Sequence, residues 1–147
     1  VDPEHFQRIF ELNVLGPLHA IQAVVPVMRR QGGGLIINVS SNVSRMFIPG
    51  IGAYAATKYA LNGLSGTARV ELALDNIRVV TVFPRLTATD FGKNALRSSP
   101  AAPYGPMSRP GGPPRPTPDP PELVAQKILE AAQNEPEEQY MSEDQRG

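Results

Sequence analysis

Two short apolar runs rich in β-branched residues, LIINVSS from Leu35 and IRVVTVF from Ile77 to Phe83, constrain this chain more than any other feature. Neither alternates polar with apolar positions, so neither suits a strand with one face in water. Near-continuous apolar strands of this length are those buried on both faces, the pattern of a parallel sheet covered by helices. Parallel neighbours cannot be joined by a hairpin and need a crossover of roughly a dozen residues or more. The stretch between the runs supplies one: from about Ala53 to Leu74 it places Leu61, Leu64, Ala68 and Leu72 on a single helical stripe.

A longer helix precedes the first run. Asp2 is its N-cap, Pro3 stands at the first helical position, and Arg29 and Arg30 occupy its last turn before the Gly32–Gly34 stop. Gly16 and Pro17 interrupt it. Helix, strand, helix, strand with long connections reads as α/β, and 147 residues suit one compact domain. Beyond Phe91 the composition changes: the stretch from Pro100 to Pro121 holds ten of the sixteen prolines, each removing a backbone donor, so an irregular loop is expected. A last helix is predicted from about Pro121 to Asn134 with Leu123, Ile128 and Leu129 buried, and EEQYMS can add a short strand. No internal repeat is visible.

Charge and composition exclude several classes. Fourteen basic and fourteen acidic side chains cancel without blocks of like charge, so no electrostatic footprint for nucleic acid or an anionic membrane exists. The absence of cysteine rules out disulfides, thiolate metal sites and cysteine nucleophiles, and two histidines, His5 and His19, do not make a metal site. The apolar segment Ala20 to Met28 is too short to span a bilayer and contains Pro26. A cytoplasmic location is the default expectation.

The chemistry-bearing residues gather near one strand end. Tyr54 and Lys58 lie four apart on a helix, hence on one face. Alone, such a pair is weak. Ser40 and Ser41, however, fall at the carboxyl end of the first strand, where open α/β sheets hold their ligands, and the following loop leads back to the Tyr54 helix. Pro17, four residues after Asn13, has no N–H for the Asn13 carbonyl, which leaves that carbonyl free to hold a water. Ser41 as a strand-end cap, Asn13 as a helix-kink residue and Thr89 as a loop cap are the bland alternatives for each residue taken singly.

Taken together, LNVLG, NVSSN and YAATK resemble the carboxyl-terminal part of the short-chain dehydrogenase/reductase family, over nearly all of Asp2 to Phe91. The family's catalytic asparagine, serine, tyrosine and lysine match Asn13, Ser41, Tyr54 and Lys58. In ELALDNIRVVTVFPRLTAT, Pro84 and Thr89 are in register with the nicotinamide loop. The resemblance implies part of a doubly wound, Rossmann-like parallel sheet, with a catalytic core segment to residue 91, a Pro-rich substrate loop over 92–120 and a terminal helix and tail from 121. It implies NAD or NADP as cofactor, contacted by Tyr54, Lys58, Pro84 and Thr89, and a small alcohol or carbonyl substrate. It also implies a homo-oligomer packed through the Tyr54 helix, where Ala55, Ala56, Ala60, Gly63 and Gly66 permit close approach. Two features depart from the pattern. The glycine-rich dinucleotide turn is absent, because GGGL follows a helix and precedes a strand, the reverse of a phosphate-binding turn. Arg85 stands where the family has glycine, which is unfavourable beside an oxidised nicotinamide unless its side chain points away.

A tyrosine with its ordinary pKa of about 10 is a poor base near neutrality. Lowering it to about 7 takes roughly 4 kcal/mol. One positive charge about 5 Å away, at an effective dielectric of about 20, supplies about 3 kcal/mol. Lys58 is therefore sufficient in sign and size. The expected activity is interconversion of a secondary alcohol and a carbonyl compound by hydride transfer. An epimerase or dehydratase using the same pair is the rival reaction, and a truncated, non-catalytic relative serving as an interaction or dimerisation module is the alternative from another class.

Overall fold

A computed structural model of the chain describes residues 1–91 and 116–146. Helix α1 (Pro3–Phe10) is capped by Asp2, whose carboxylate accepts the His5 N–H at 3.2 Å. The interruption anticipated at Gly16 and Pro17 takes the form of a π turn over Glu11–Leu15, in which the Gly16 N–H reaches back five residues to the Glu11 carbonyl. Helix α2 (Gly16–Arg30) then continues without a break. A wide turn is a known way for a helix to absorb a residue such as Pro17 that cannot complete the ladder. The continuous run Pro3–Arg30 has a length and composition that would pass for a membrane span, which the shorter Ala20–Met28 segment did not. In this fold it buries Ile9, Val14, Ile21 and Val25 against protein.

The strands are β1 (Gly34–Val39), β2 (Ile77–Phe83) and β3 (Glu138–Tyr140), parallel throughout and ordered β1-β2-β3. Helix α3 (Gly52–Glu71) is the crossover from β1 to β2. Helix α4 (Pro121–Asn134) precedes β3. Side chains of β2 separate by the two-residue period of a strand. Ile77 and Val79 join Ile21, Val25, Ala68 and Leu72 on one face, while Val80 and Val82 join Ala131 and Met141 on the other. The result is a three-layer α/β arrangement, with α2 and α3 on one side of a Rossmann-like parallel sheet and α4 on the other.

Three expectations are corrected. Only β2 is buried on both faces; β1 is half-buried along its length and Val39 is 43% exposed, because among the described residues β1 has one neighbouring strand. Leu129 is 64% exposed rather than buried: the inward stripe of α4 runs through Val124, Ile128 and Ala131, and Leu129 lies one residue off it. Ala55 is buried and so does not belong to the exposed small-residue surface of α3, whereas no atom stands near the open faces of Gly63 and Gly66. Most of the anticipated Pro-rich loop falls outside the described residues.

Candidate active site

Sheet pairing continues past the carboxyl ends of β1 and β2. The Ser40 N–H donates to the Val82 carbonyl at 2.8 Å and the Asn42 N–H donates to the Pro84 carbonyl at 2.9 Å. The Ser41 and Pro84 segments are thereby laid side by side. Ser41 caps the short 3-10 turn Asn42–Arg45, and its Oγ accepts the Val43 N–H at 3.4 Å. That bond uses a lone pair, so the single hydroxyl proton of Ser41 is still available for donation.

Helix α3 starts just beyond this turn and brings Tyr54 and Lys58 to the same end of the sheet. The Lys58 Nζ lies 5.8 Å from the Tyr54 ring centroid and donates to the carbonyl of Val39, the last residue of β1, at 3.0 Å. One of its three donors is used there, which leaves two for a bound group. Burial pushes the Lys58 ammonium below its ordinary value of 10.5, because the charged form loses hydration. Asn13 reaches the site from the π turn: its Nδ2 donates to the Thr57 Oγ1 at 3.1 Å, and that hydroxyl donates to the Tyr54 carbonyl at 2.7 Å. The Tyr54 ring also packs against Phe91, with centroids 5.8 Å apart.

Pro84 and Thr89 belong to the segment that leaves β2 beside this group. The Thr89 Oγ1 accepts the N–H of Phe91, the residue packed on Tyr54, at 3.3 Å. Arg85 does not project a free cation. Its guanidinium forms a bidentate pair with Asp119, at 2.9 Å from Nε and 2.6 Å from Nη2, and Nη1 donates to the Ser142 Oγ at 3.4 Å. The Asp119 carboxylate holds the guanidinium above its ordinary pKa. This segment is also joined by backbone: the Asp119 N–H donates to Leu86 O at 2.7 Å and the Ala88 N–H to Asp119 O at 2.9 Å. The fit to a nicotinamide is therefore local. Tyr54, Lys58, Pro84 and Thr89 gather at one end of the sheet with the Arg85 charge engaged elsewhere. The Gly32–Gly34 turn, with φ of 84° at Gly32 and 141° at Gly33, lies at the opposite end of β1 and links helix to strand. No cluster of metal-ligating side chains occurs among the described residues.

Four polar residues of the neighbourhood were not singled out from the sequence: Thr57, Asn62, Ser65 and Asp119. Thr57 and Ser65 are buried, and Asn62 and Ser65 continue the Tyr54–Lys58 face of α3 at helical spacing. A polar stripe at positions 54, 58, 62, 65 and 69, adjacent to the leucine stripe, was the legible signal for Asn62 and Ser65.

Residues 1–99 match the family model described as short chain dehydrogenase. The chain is 47% identical over 88 residues, 60% of its length and 35% of the relative's, to a 3alpha-hydroxysteroid dehydrogenase of Mediterraneibacter gnavus. It is 34% identical over 139 residues, 92% of its length and 59% of the relative's, to an uncharacterised oxidoreductase of Schizosaccharomyces pombe. Among solved structures it resembles a short chain dehydrogenase from Burkholderia cenocepacia in complex with NADP, with a TM-score of 0.77, 26% identity, and coverage of 99% of this chain and 54% of that one. The chain thus spans between about a third and three-fifths of the length of these relatives. With a matched segment that includes β1, β2 and the residues from Asn13 to Thr89, the chain belongs to the short-chain dehydrogenase family of oxidoreductases.

Proposed function

We propose that this chain carries the proton-transfer half of a nicotinamide-dependent oxidoreductase that interconverts a secondary alcohol and a carbonyl compound. The observation that carries the reading is the approach of Lys58 Nζ to the Tyr54 ring at the carboxyl end of β1, with Asn13 tied to the same turn of helix through Thr57. In the oxidative direction Tyr54 takes the hydroxyl proton of the alcohol as the carbon loses hydride, and in the reductive direction it returns that proton to the carbonyl oxygen. The Lys58 ammonium stabilises the phenolate through space. Ser41 donates its proton to the substrate oxygen and holds it against Tyr54. Asn13 fixes the start of α3 through Thr57, and its carbonyl holds a water that passes protons to solvent. NAD or NADP, when bound, would supply the hydride acceptor or donor, and Lys58 with the Pro84–Thr89 segment would hold it. Support for the cofactor class comes from the solved relatives that contain NADP. Gly63 and Gly66 offer an open surface of α3 on which a second copy can pack.

The test uses this chain joined to an amino-terminal half that supplies a dinucleotide-binding turn. Tyr54→Phe is expected to abolish turnover, followed by nicotinamide absorbance over a panel of alcohols and ketones, while leaving the melting temperature close to that of the parent. A near-normal rate would remove Tyr54 from the mechanism, and turnover of sugar nucleotides without any net absorbance change would favour an epimerase. The 147-residue chain alone is expected to bind either cofactor only weakly, since a pyrophosphate is held by backbone N–H groups at a glycine-rich helix start. Micromolar affinity in a calorimetric titration would overturn that expectation.

A further inference from the structure

Tyr54 and Lys58 begin the polar stripe on α3, and its next member is connected to Ser41. The Asn62 carboxamide lies between two buried hydroxyls, Ser40 and Ser44, which are 4% and 1% exposed. The Ser40 Oγ donates to Asn62 Oδ1 at 2.5 Å, and Asn62 Nδ2 donates to the Ser44 Oγ at 2.8 Å. The Ser44 Oγ in turn donates to the Ser41 carbonyl at 2.6 Å. Each hydroxyl has one proton, so the direction of the chain is fixed. If Asn62 presented its oxygen to Ser44, the Ser44 proton would turn to it and leave the Ser41 carbonyl. One carboxamide therefore sets the residues on both sides of Ser41.

We propose that Asn62 is a positioning residue for Ser41, holding the Ser40–Ser44 turn so that the Ser41 hydroxyl faces the substrate oxygen from a fixed distance. The proposal rests on the reading of Ser41 as the group that bonds the substrate. The helix that bears the proton-transfer pair thus also carries the strut for the hydroxyl opposite them, and the relative placement of the three depends on one rigid element.

Two variants test this. Asn62→Leu keeps the branching and number of heavy atoms and removes both bonds; Ser44→Ala removes the link from Asn62 to the Ser41 carbonyl and leaves the Ser40 bond in place. In the 147-residue chain, amide hydrogen exchange at Ser44 and Met46, whose N–H groups close the 3-10 turn onto Ser41 and Val43, should accelerate by about tenfold in either variant. Exchange along β2 should stay unchanged. In the chain joined to an amino-terminal half, kcat should fall by about tenfold with the cofactor KM unaltered. That loss should vanish when Asn62→Leu is made on a Ser41→Ala background. Unchanged exchange at Ser44 and Met46 would overturn the proposal, as would acceleration spread equally through β2, which marks a general packing role. An additive loss in the double variant would also overturn it. If Ser41→Ala itself leaves turnover intact, the catalytic reading of Ser41 fails, and the exchange measurement alone decides whether Asn62 holds the turn.

Discussion

The two ends of the β1–β2 pair are both polar, yet they are built differently. At the amino end the groups are exposed and joined pairwise: Arg29 pairs with Asp75 at 2.7 Å with side chains 54% and 31% exposed, and Asn76 Nδ2 caps the Gly32 carbonyl at 2.9 Å. At the carboxyl end Ser40, Ser44 and Thr57 are buried and bonded to one another's neighbourhoods through Asn13 and Asn62. Polar groups removed from water must find partners, at a cost of about 1–3 kcal/mol for each one left without. A buried network is thus kept for what it holds in place, whereas an exposed ion pair contributes about 1 kcal/mol or less. The difference separates a site from a scaffold without reference to any ligand.

Substitutions can sharpen or break this contrast. After Tyr54→Phe, the largest effect is expected at Lys58. Lys58→Met should lower turnover of the completed enzyme by a factor of about 10²–10⁴, because it removes the charge on which proton transfer by Tyr54 depends. Stability should respond differently. Because burial lowers the folded-state pKa of Lys58, the unfolded chain binds more protons between that lowered value and 10.5, so wild-type stability rises with pH across that window. Below the window the cost of burying the charge is fully present. Melting curves of Lys58→Met should lack this rise, and a variant that keeps it would show that another group titrates there.

At the amino end the largest expected change is in folding alone. Gly33 has a φ of 141°, and a Cβ built on it would lie 2.5 Å from the Asn76 carbonyl oxygen. Gly33→Ala should destabilise by at least about 1–3 kcal/mol from backbone strain, measured by denaturant titration, with no change in the kinetics of whatever enzyme remains folded. Smallest of all, Arg29→Ala should alter stability by less than about 1 kcal/mol, and less again at high salt. If Arg29→Ala and Ser44→Ala proved equally mild, the distinction drawn between the two ends would be wrong.

Much of this architecture is legible in the residues, for reasons that differ by element. Strand β2 is read correctly to its termini because its burial on both faces leaves a continuous apolar run bounded by Asn76 and Pro84. Strand β1 has the same kind of sequence but a single neighbour among the described residues, and composition does not report neighbours. Leu129 misleads because hydrophobicity alone carries no angle relative to Val124, Ile128 and Ala131. Tyr54 and Lys58 stand out by spacing. Asn62 does not, since its meaning lies in Ser40 and Ser44, 22 and 18 residues away. Arg85 was legible as a departure but not as an ion pair, for Asp119 is 34 residues further on.

The π turn in the first helix has a consequence for how this chain tolerates changes of length. A wide turn is equivalent to one residue inserted into an α-helix, and one residue is about 100° of rotation. Buried positions follow that phase: Ile9 to Val14 is a step of five, whereas Ile21 to Val25 is the ordinary step of four. Deleting Leu12 would let the turn relax to a regular spiral, with Val14 at the ordinary step of four from Ile9. The helix would lose its wide turn yet keep the angular alignment of its two halves, with Ile9 and Val14 both on the buried face. One residue of length at this point is therefore absorbed inside the turn that carries Asn13, instead of being passed on as a rotation of α2.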